Sequence, residues 1–356
     1  KSRNTRSLVI RQPMGVVVAI VPWNYPMSLT AWKIGPALAA GCTVVVRPTS
    51  ETPLAAALFS ALCAKAGAPR GVVTVVTGAS SEIGDELVAN PLSQMIAFTG
   101  STEEGRHLME IAAPKLKKCM LEVGGPAALV VCQDANLEQA VKDGVKRSFR
   151  NAGQICNSVN RIFVHKSLYD TYVKAFAEQA KGQTIGDGLV NPNVDIGPMV
   201  NQEGIDRTQR FVDDAVAKGA KLLCGGKRCE APELSKGFFY EPTAMIDVTE
   251  EMMLMAEEPF GPIVGIAPFE DVDHALELVN GTDYGLVNYV YSNDLSTIIR
   301  LYEGIETGTV GVNSVGPDSL YAPYPAWKQS GLGVELSYHG LDEYLKYKHV
   351  LLAFDQ

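Results

Sequence analysis

Histidine is scarce in this chain of 356 residues. Five occur, and none clusters with cysteines or carboxylates at ligand spacing, which argues against a zinc site. Basic residues are too few for a nucleic-acid partner: 31 Lys and Arg against 40 Asp and Glu leave a formal charge of −9. Phosphate backbones need a basic face. Anionic small ligands are not excluded, because local groups can bind them. No uninterrupted apolar run reaches the roughly 20 residues of a membrane helix. The opening Lys1-Ser2-Arg3-Asn4-Thr5-Arg6 does not resemble a secretory signal. The seven cysteines are scattered, odd in number and without a CxxC pair. That pattern gives no disulfide framework and points to a reducing compartment: the cytoplasm, or the mitochondrial matrix in a eukaryote. Internal repeats, low-complexity linkers and a Gly-x-Gly-x-x-Gly fingerprint are also missing.

What is present is a soluble globular composition, 46% hydrophobic and 20% charged, long enough for two domains. Strand-like and helix-like segments alternate. Gly15 to Val21 (GVVVAIV) reads as a strand buried on both faces, and Met27 to Ala40 as a helix. Strands at Thr43 to Val46, Val72 to Val76, Met95 to Phe98 and Lys118 to Glu122 alternate with helices at Pro53 to Ala66, Glu82 to Val88 and Thr102 to Ala113. This rhythm predicts an α/β fold with a doubly wound, Rossmann-like sheet, whose ligands bind beyond the carboxyl ends of the strands. A second α/β unit follows the Gly124-Gly125-Pro126 break, with strands at 127–131 and 162–164 and helices at 137–147, 168–181 and 204–218. The expected division is a cofactor domain over 13–124, a catalytic domain over 125–341, and a small β oligomerisation arm from 1–12 and 342–356. Its strands, Ser7 to Arg11 and Tyr344 to Phe354, could pair across a subunit interface or serve as ordinary edge strands within one subunit.

The most informative stretch is Phe149-Arg150-Asn151-Ala152-Gly153-Gln154-Ile155-Cys156, which sets a cysteine just beyond a helix and after a chain break. A lone cysteine is ordinarily buried and inert, the reading kept for Cys42, Cys63, Cys119 and Cys132. Cys156 is different because of its company. Pro22-Trp23-Asn24, the Arg47-Pro48-Thr49-Ser50 turn, Phe98-Thr99-Gly100-Ser101-Thr102, Leu121-Glu122-Val123-Gly124-Gly125, Gly153-Gln154-Ile155-Cys156 and Glu258-Pro259-Phe260-Gly261-Pro262 fall in one order. Together these motifs resemble the aldehyde dehydrogenase superfamily over nearly the whole chain.

The resemblance implies roles. Cys156 matches the nucleophile that forms a thiohemiacetal and then a thioester. Asn24 matches the side-chain donor to the oxyanion, with the Cys156 N–H as second donor. Glu122 matches the general base that activates the hydrolytic water; at a strand end among apolar residues its pKa should be raised, and its presence favours release of a free acid. Lys33 matches a proton-relay lysine, with a surface helix lysine as the alternative. Glu258 matches the residue holding the nicotinamide ribose, and Phe260 packs near the ring. Pro22, Trp23, Thr99, Gly100 and Ser101 belong to the cofactor site, Ser101 opening a helix under the pyrophosphate. Arg47 and Ser50 stand where NAD-preferring relatives carry a lysine and a glutamate. Cation plus hydroxyl should accept a 2′-phosphate, so NADP is expected to support turnover at least as well as NAD.

The closest resemblance is to succinate semialdehyde dehydrogenases. Arg150 matches an arginine that grips the substrate carboxylate there. Trp32 replaces a second such arginine, and Asp318 falls near a carboxylate-contacting serine. Tyr25, Trp32 and Tyr324 match aromatic positions of betaine and amino aldehyde dehydrogenases. The alternatives are therefore a broad-range or amino or aromatic aldehyde dehydrogenase, or a non-catalytic member keeping the fold. Family chains usually carry a further N-terminal segment that completes the cofactor domain, and this chain begins where that segment ends. A homodimer or homotetramer is expected.

Overall fold

A computed structural model describes residues 4–354. Residues 1–3 and 355–356, the outer ends of the expected β arm, lie outside the described residues. The chain divides into two compact units, one of 1–123, 318–325 and 331–356, the other of 124–317 and 326–330. The change of unit falls between Val123 and Gly124, and 318–325 and 331–341 group with the first unit.

The first unit opens with β1 (Thr5–Pro13), β2 (Val16–Val21), α1 (Pro26–Ala39), β3 (Thr43–Pro48), α2 (Pro53–Lys65) and β4 (Val73–Val75). It continues with α3 (Ser80–Ala89), β5 (Ser93–Gly100), α4 (Thr102–Ala112) and β6 (Lys118–Val123). Five strands form a parallel sheet in the order β6-β5-β2-β3-β4. The GVVVAIV run explains the layering. Val17, Ala19 and Val21 pack with Ile34 and Ala37 of α1 and Ala56 of α2. Val18 and Ile20 point the other way, onto Val88 of α3 and Leu108 and Ala112 of α4. Alternate side chains leave opposite faces of a strand, so a continuous apolar run serves two helix layers. Each fully buried Val, Ile or Leu side chain here contributes about 1.5–3 kcal/mol. Proline stands at the first position of both α1 and α2, where its missing N–H costs nothing. The strand order reverses between β2 and β5, so the switch-point crevice lies beyond their carboxyl ends.

The second unit runs β7 (Ala127–Val131), α5 (Leu137–Phe149), β8 (Val159–His165), α6 (Tyr169–Lys181), α7 (Gln202–Ala217), β9 (Lys221–Cys224) and β10 (Thr243–Ile246). Then come α8 (Met253–Ala256), β11 (Ile263–Phe269), α9 (Val272–Asn280), β12 (Tyr284–Gly285), β13 (Val287–Tyr291), α10 (Leu295–Gly304) and β14 (Thr309–Val312). Its seven-stranded sheet has the order β14-β13-β7-β8-β11-β10-β9. All neighbours are parallel except β9, which runs antiparallel to β10. The switch point here falls between β7 and β13, and a hydrogen-bonded group of side chains lies at its carboxyl end. Asp134 accepts hydrogen bonds from the Ser292 hydroxyl at 3.0 Å and the Asn293 amide at 2.7 Å. Asn313 closes the group, donating to the Ser292 carbonyl at 2.8 Å.

The last segment holds β15 (Tyr324–Pro325), β16 (Trp327–Lys328), β17 (Gly331–Leu332), β18 (Val334–Glu335), α11 (Ser337–Glu343) and β19 (Leu345–Ala353). In the first unit β17 adds antiparallel to β6 and β15 pairs with β18; in the second β16 pairs with β12. The strands expected to form an arm pair with each other, β1 antiparallel to β19 from Thr5↔Ala353 to Pro13↔Leu345. Val9, Tyr347 and Leu351 are exposed on this ribbon.

Candidate active site

In the first unit the switch-point crevice collects the sequence-predicted cofactor residues. Pro22, Trp23, Asn24 and Tyr25 follow β2 and are half-buried, and Thr99, Gly100 and Ser101 close β5. Ser101 caps α4, its hydroxyl accepting from the Glu104 amide at 3.2 Å. The remaining free N–H groups of that first turn make an anion site. Arg47 is buried at the end of β3. Ser50 is exposed, but its hydroxyl is engaged: it donates to Glu51 at 3.2 Å, and the Thr49 hydroxyl donates to the same carboxylate oxygen. The Thr49 hydrogen bond, with Ser50 and the Arg47 cation adding to it, holds the Glu51 carboxyl below its usual pKa. Sequence reasoning paired Arg47 with Ser50 and passed over Glu51, an ordinary loop acid by composition.

Lys33 is not on the surface. Its side chain is 0% exposed and its Nζ lies 2.7 Å from Glu335 Oε1, whose side chain is 3% exposed. Nζ also donates to Thr99 Oγ1 at 2.6 Å. Thr99 is the register partner of Glu122 on the adjacent parallel strand, so the two side chains leave the same face of the sheet. Glu122 is itself buried, 3% exposed. Glu335 was missed from the sequence because its ion pair spans 302 residues, and no local pattern marks it. Trp32 and Tyr324 meet edge-to-face, with centroids 5.8 Å apart. Asp318 is exposed.

In the second unit the predicted residues lie at the opposite end of the strands. Gly124 to Pro126 precede β7, Cys156 precedes β8, and Glu258 and Phe260 precede β11. Because β7, β8 and β11 are parallel neighbours, these segments share the amino edge of the sheet. The segment that carries Cys156 is irregular. After Arg150, the exposed residue ending α5, Asn151, Ala152 and Gly153 adopt φ of 52°, 56° and 71°. Left-handed backbone at a non-glycine residue costs of order 1–3 kcal/mol and persists only when neighbours enforce it. Gln154 supplies such enforcement. Its Oε1 accepts from the Val200 amide at 2.9 Å, and its Nε2 donates to the Asn151 carbonyl at 2.9 Å. Gly153 must be glycine twice over: besides its φ, an added Cβ would sit 2.0 Å from the Gly261 carbonyl oxygen. Cys156 then occupies a tight turn closed by Ser158 N–H to Ile155 C=O at 3.0 Å, and is only partly buried. Cys63 and Cys119, expected to be buried, are partly exposed as well; Cys42 and Cys132 are buried.

Glu258 packs its carboxylate against Gly124, where an added Cβ would lie 2.2 Å from one carboxylate oxygen and 2.3 Å from the other. Arg207 holds the backbone beside it, donating to the carbonyls of Glu258 at 2.6 Å and Pro259 at 3.1 Å. Nothing in the sequence around Arg207 announces that role.

A doubly wound sheet joined in one chain to a second α/β unit with a cysteine in an anchored turn defines a two-unit α/β class of protein. The chain belongs to the aldehyde dehydrogenase family, whose sequence profile matches residues 1–350, and is an NAD(P)-dependent oxidoreductase. It is 45% identical to a probable NADP(+) succinate-semialdehyde dehydrogenase of Sinorhizobium fredii, over 99% of this chain and 71% of that one. With the NADP(+) succinate-semialdehyde dehydrogenase of Escherichia coli the identity is 42%, over 98% of this chain and 71% of the relative. Among solved structures, betaine aldehyde dehydrogenase from Staphylococcus aureus in complex with NAD+ superposes with a TM-score of 0.96 at 36% identity, covering 98% of this chain and 69% of that one.

Proposed function

We propose that this chain oxidises a semialdehyde such as succinate semialdehyde to the free acid. Cys156 is the nucleophile. Its sulfur adds to the aldehyde carbon, and the oxyanion takes hydrogen bonds from the Asn24 amide and the Cys156 N–H. One such donor is worth roughly 2.7–4 kcal/mol. NAD(P), when bound, supplies the hydride acceptor that turns the thiohemiacetal into a thioester. Glu122 takes a proton from water, which opens the thioester and frees the thiol. Lys33 and Glu335 support that base: the buried pair reaches Thr99, on the same sheet face as Glu122, and offers a route for the proton.

The residues of the crevice suit a dinucleotide. The capped N-terminus of α4 offers N–H groups for a pyrophosphate, and Arg47 offers a cation. Glu258 is assigned to the nicotinamide ribose, Phe260 to the ring. Either cofactor is accepted in this reading, and the choice between them turns on Arg47, Ser50 and Glu51.

The observation that carries the substrate is Arg150, an exposed guanidinium six residues before Cys156 in the same anchored segment. The named semialdehyde enzymes among its relatives act on substrates that bear a carboxylate. A panel of acidic, cationic, aromatic and aliphatic aldehydes, assayed with both cofactors, tests it. The acidic semialdehydes should show the highest kcat/KM, and Arg150→Ala should abolish that preference. An Arg150→Ala variant with unchanged KM for succinate semialdehyde would refute the assignment. The Trp32–Tyr324 ring pair supports a second reading, a cationic or aromatic aldehyde, which the same panel separates.

The β1–β19 ribbon, with apolar side chains exposed, is assigned to assembly of a homodimer or homotetramer. The absence of a disulfide among the described cysteines is in keeping with a cytoplasmic or matrix location.

A further inference from the structure

The turn that carries Cys156 is held on its far side by a residue remote in sequence. Tyr289, on β13, is fully buried. Its hydroxyl donates to the carbonyl of Asn157, the residue after Cys156, at 2.9 Å. The same oxygen accepts from Arg147 Nε at 3.0 Å, and the buried guanidinium lies 5.8 Å from the centre of the tyrosine ring. One phenol thus uses its single donor on the turn and its acceptor on an α5 cation. Ser158 reinforces the hold, its hydroxyl lying 3.1 Å from the Arg147 carbonyl and 3.3 Å from that of Ser148. On the near side Gln154 clamps the left-handed residues. The turn is therefore fixed at both ends, and Cys156 stands between the two anchors.

We infer that Tyr289 is a positioning residue for Cys156: through the Asn157 carbonyl it keeps the turn, and the Cys156 N–H with it, in the geometry that attack and oxyanion stabilisation require. The inference rests on Cys156 being the nucleophile. The strained backbone at Asn151 and Ala152 supplies the reason for an anchor, because a left-handed stretch relaxes when its restraints are cut. Arg147 acts one step further out, by holding the phenol.

The test is Tyr289→Phe, which removes the hydroxyl and keeps the ring. Turnover number should fall about tenfold or more while KM for NAD(P) stays within twofold. Alkylation of Cys156 by iodoacetamide, followed site by site by mass spectrometry without cofactor, should become several-fold faster as the turn loosens. Cys42 and Cys132, both buried, should remain unlabelled, which separates a loosened turn from general unfolding. Adding Ala152→Gly to Tyr289→Phe should recover part of the lost turnover, since glycine removes the strain that the anchor opposed. Should Tyr289→Phe fail to fold, Arg147→Lys is read in the same way. Wild-type turnover with wild-type Cys156 labelling overturns the inference. So does a loss of turnover that tracks labelling of Cys42 and Cys132. Cys156→Ser is measured alongside. If it keeps turnover, the assignment of the nucleophile fails; if it is inactive and Tyr289→Phe is normal, only the positioning role fails.

Discussion

In the proposed reading, Glu51 borders the place of a 2′-phosphate beside Arg47 and Ser50. Its carboxylate engages the hydroxyls of Thr49 and Ser50 and is held ionised. A phosphate placed there meets a like charge, worth about 1 kcal/mol at contact distance in water, or roughly fivefold. Glu51→Gln is therefore expected to raise the ratio of kcat/KM for NADP over NAD by about that factor, measured with one aldehyde and both cofactors. The cysteines separate on similar grounds. Burial, with Asp134 adding to it, pushes the Cys132 thiol up to about 12, and burial pushes Cys229 up to about 11. Both thiols remain protonated below those values, and the thiolate is the reactive form. Iodoacetamide at pH 8 should label Cys156 well before Cys132 or Cys229, as read by peptide mass spectrometry. Equal labelling of the three would contradict the assigned environments.

Between α5 and β8 the chain makes the irregular passage that carries Cys156. Gly153→Ala places a methyl group 2.0 Å from the Gly261 carbonyl oxygen at a φ of 71°. The passage must shift, and turnover should fall at least a hundredfold, with a lowered Tm showing the strain. Much of this element was legible beforehand. Asn-Ala-Gly breaks a helix for reasons local to those residues, and the strand GVVVAIV declared both of its faces. What stayed hidden lies in partners far along the chain. Lys33 read equally well as a surface lysine because nothing near it names Glu335. Tyr289 was not singled out at all, although its hydroxyl reaches the turn that carries Cys156. Arg47 and Ser50 were read as a pair because the fold of the Glu51 side chain is not written in its neighbours. Hydrophobic period and turn chemistry act over a few residues, whereas ion pairs and buried hydroxyl contacts are set by tertiary packing.

On the scale of the molecule the two sheets are used at opposite ends. The first presents its predicted cofactor residues beyond the carboxyl ends of β2, β3 and β5, as open parallel sheets do. The second ties Asp134, Ser292, Asn293 and Asn313 together by hydrogen bonds at that end and carries Cys156 and Glu258 at the amino ends of β8 and β11. The expectation of carboxyl-end binding thus describes only the first unit. The β1–β19 ribbon makes a separate prediction. Val9→Asp combined with Leu351→Asp, both on its exposed surface, should reduce the mass in light scattering to that of one chain. An unchanged oligomer would locate assembly elsewhere.

The Lys33–Glu335 pair also sets an order of events as the chain emerges from the ribosome. The second unit is encoded almost entirely within 124–317, so its core is complete while the first unit still lacks β17, β19 and Glu335. Until those residues arrive, Lys33 keeps only the neutral Thr99 hydroxyl as a partner and its charge is uncompensated in the burial site, a deficit of about 3–5 kcal/mol. The unit synthesised first is therefore the one that closes last, and a released chain truncated after residue 330 should show a protease-resistant second unit beside a first unit that is still digested.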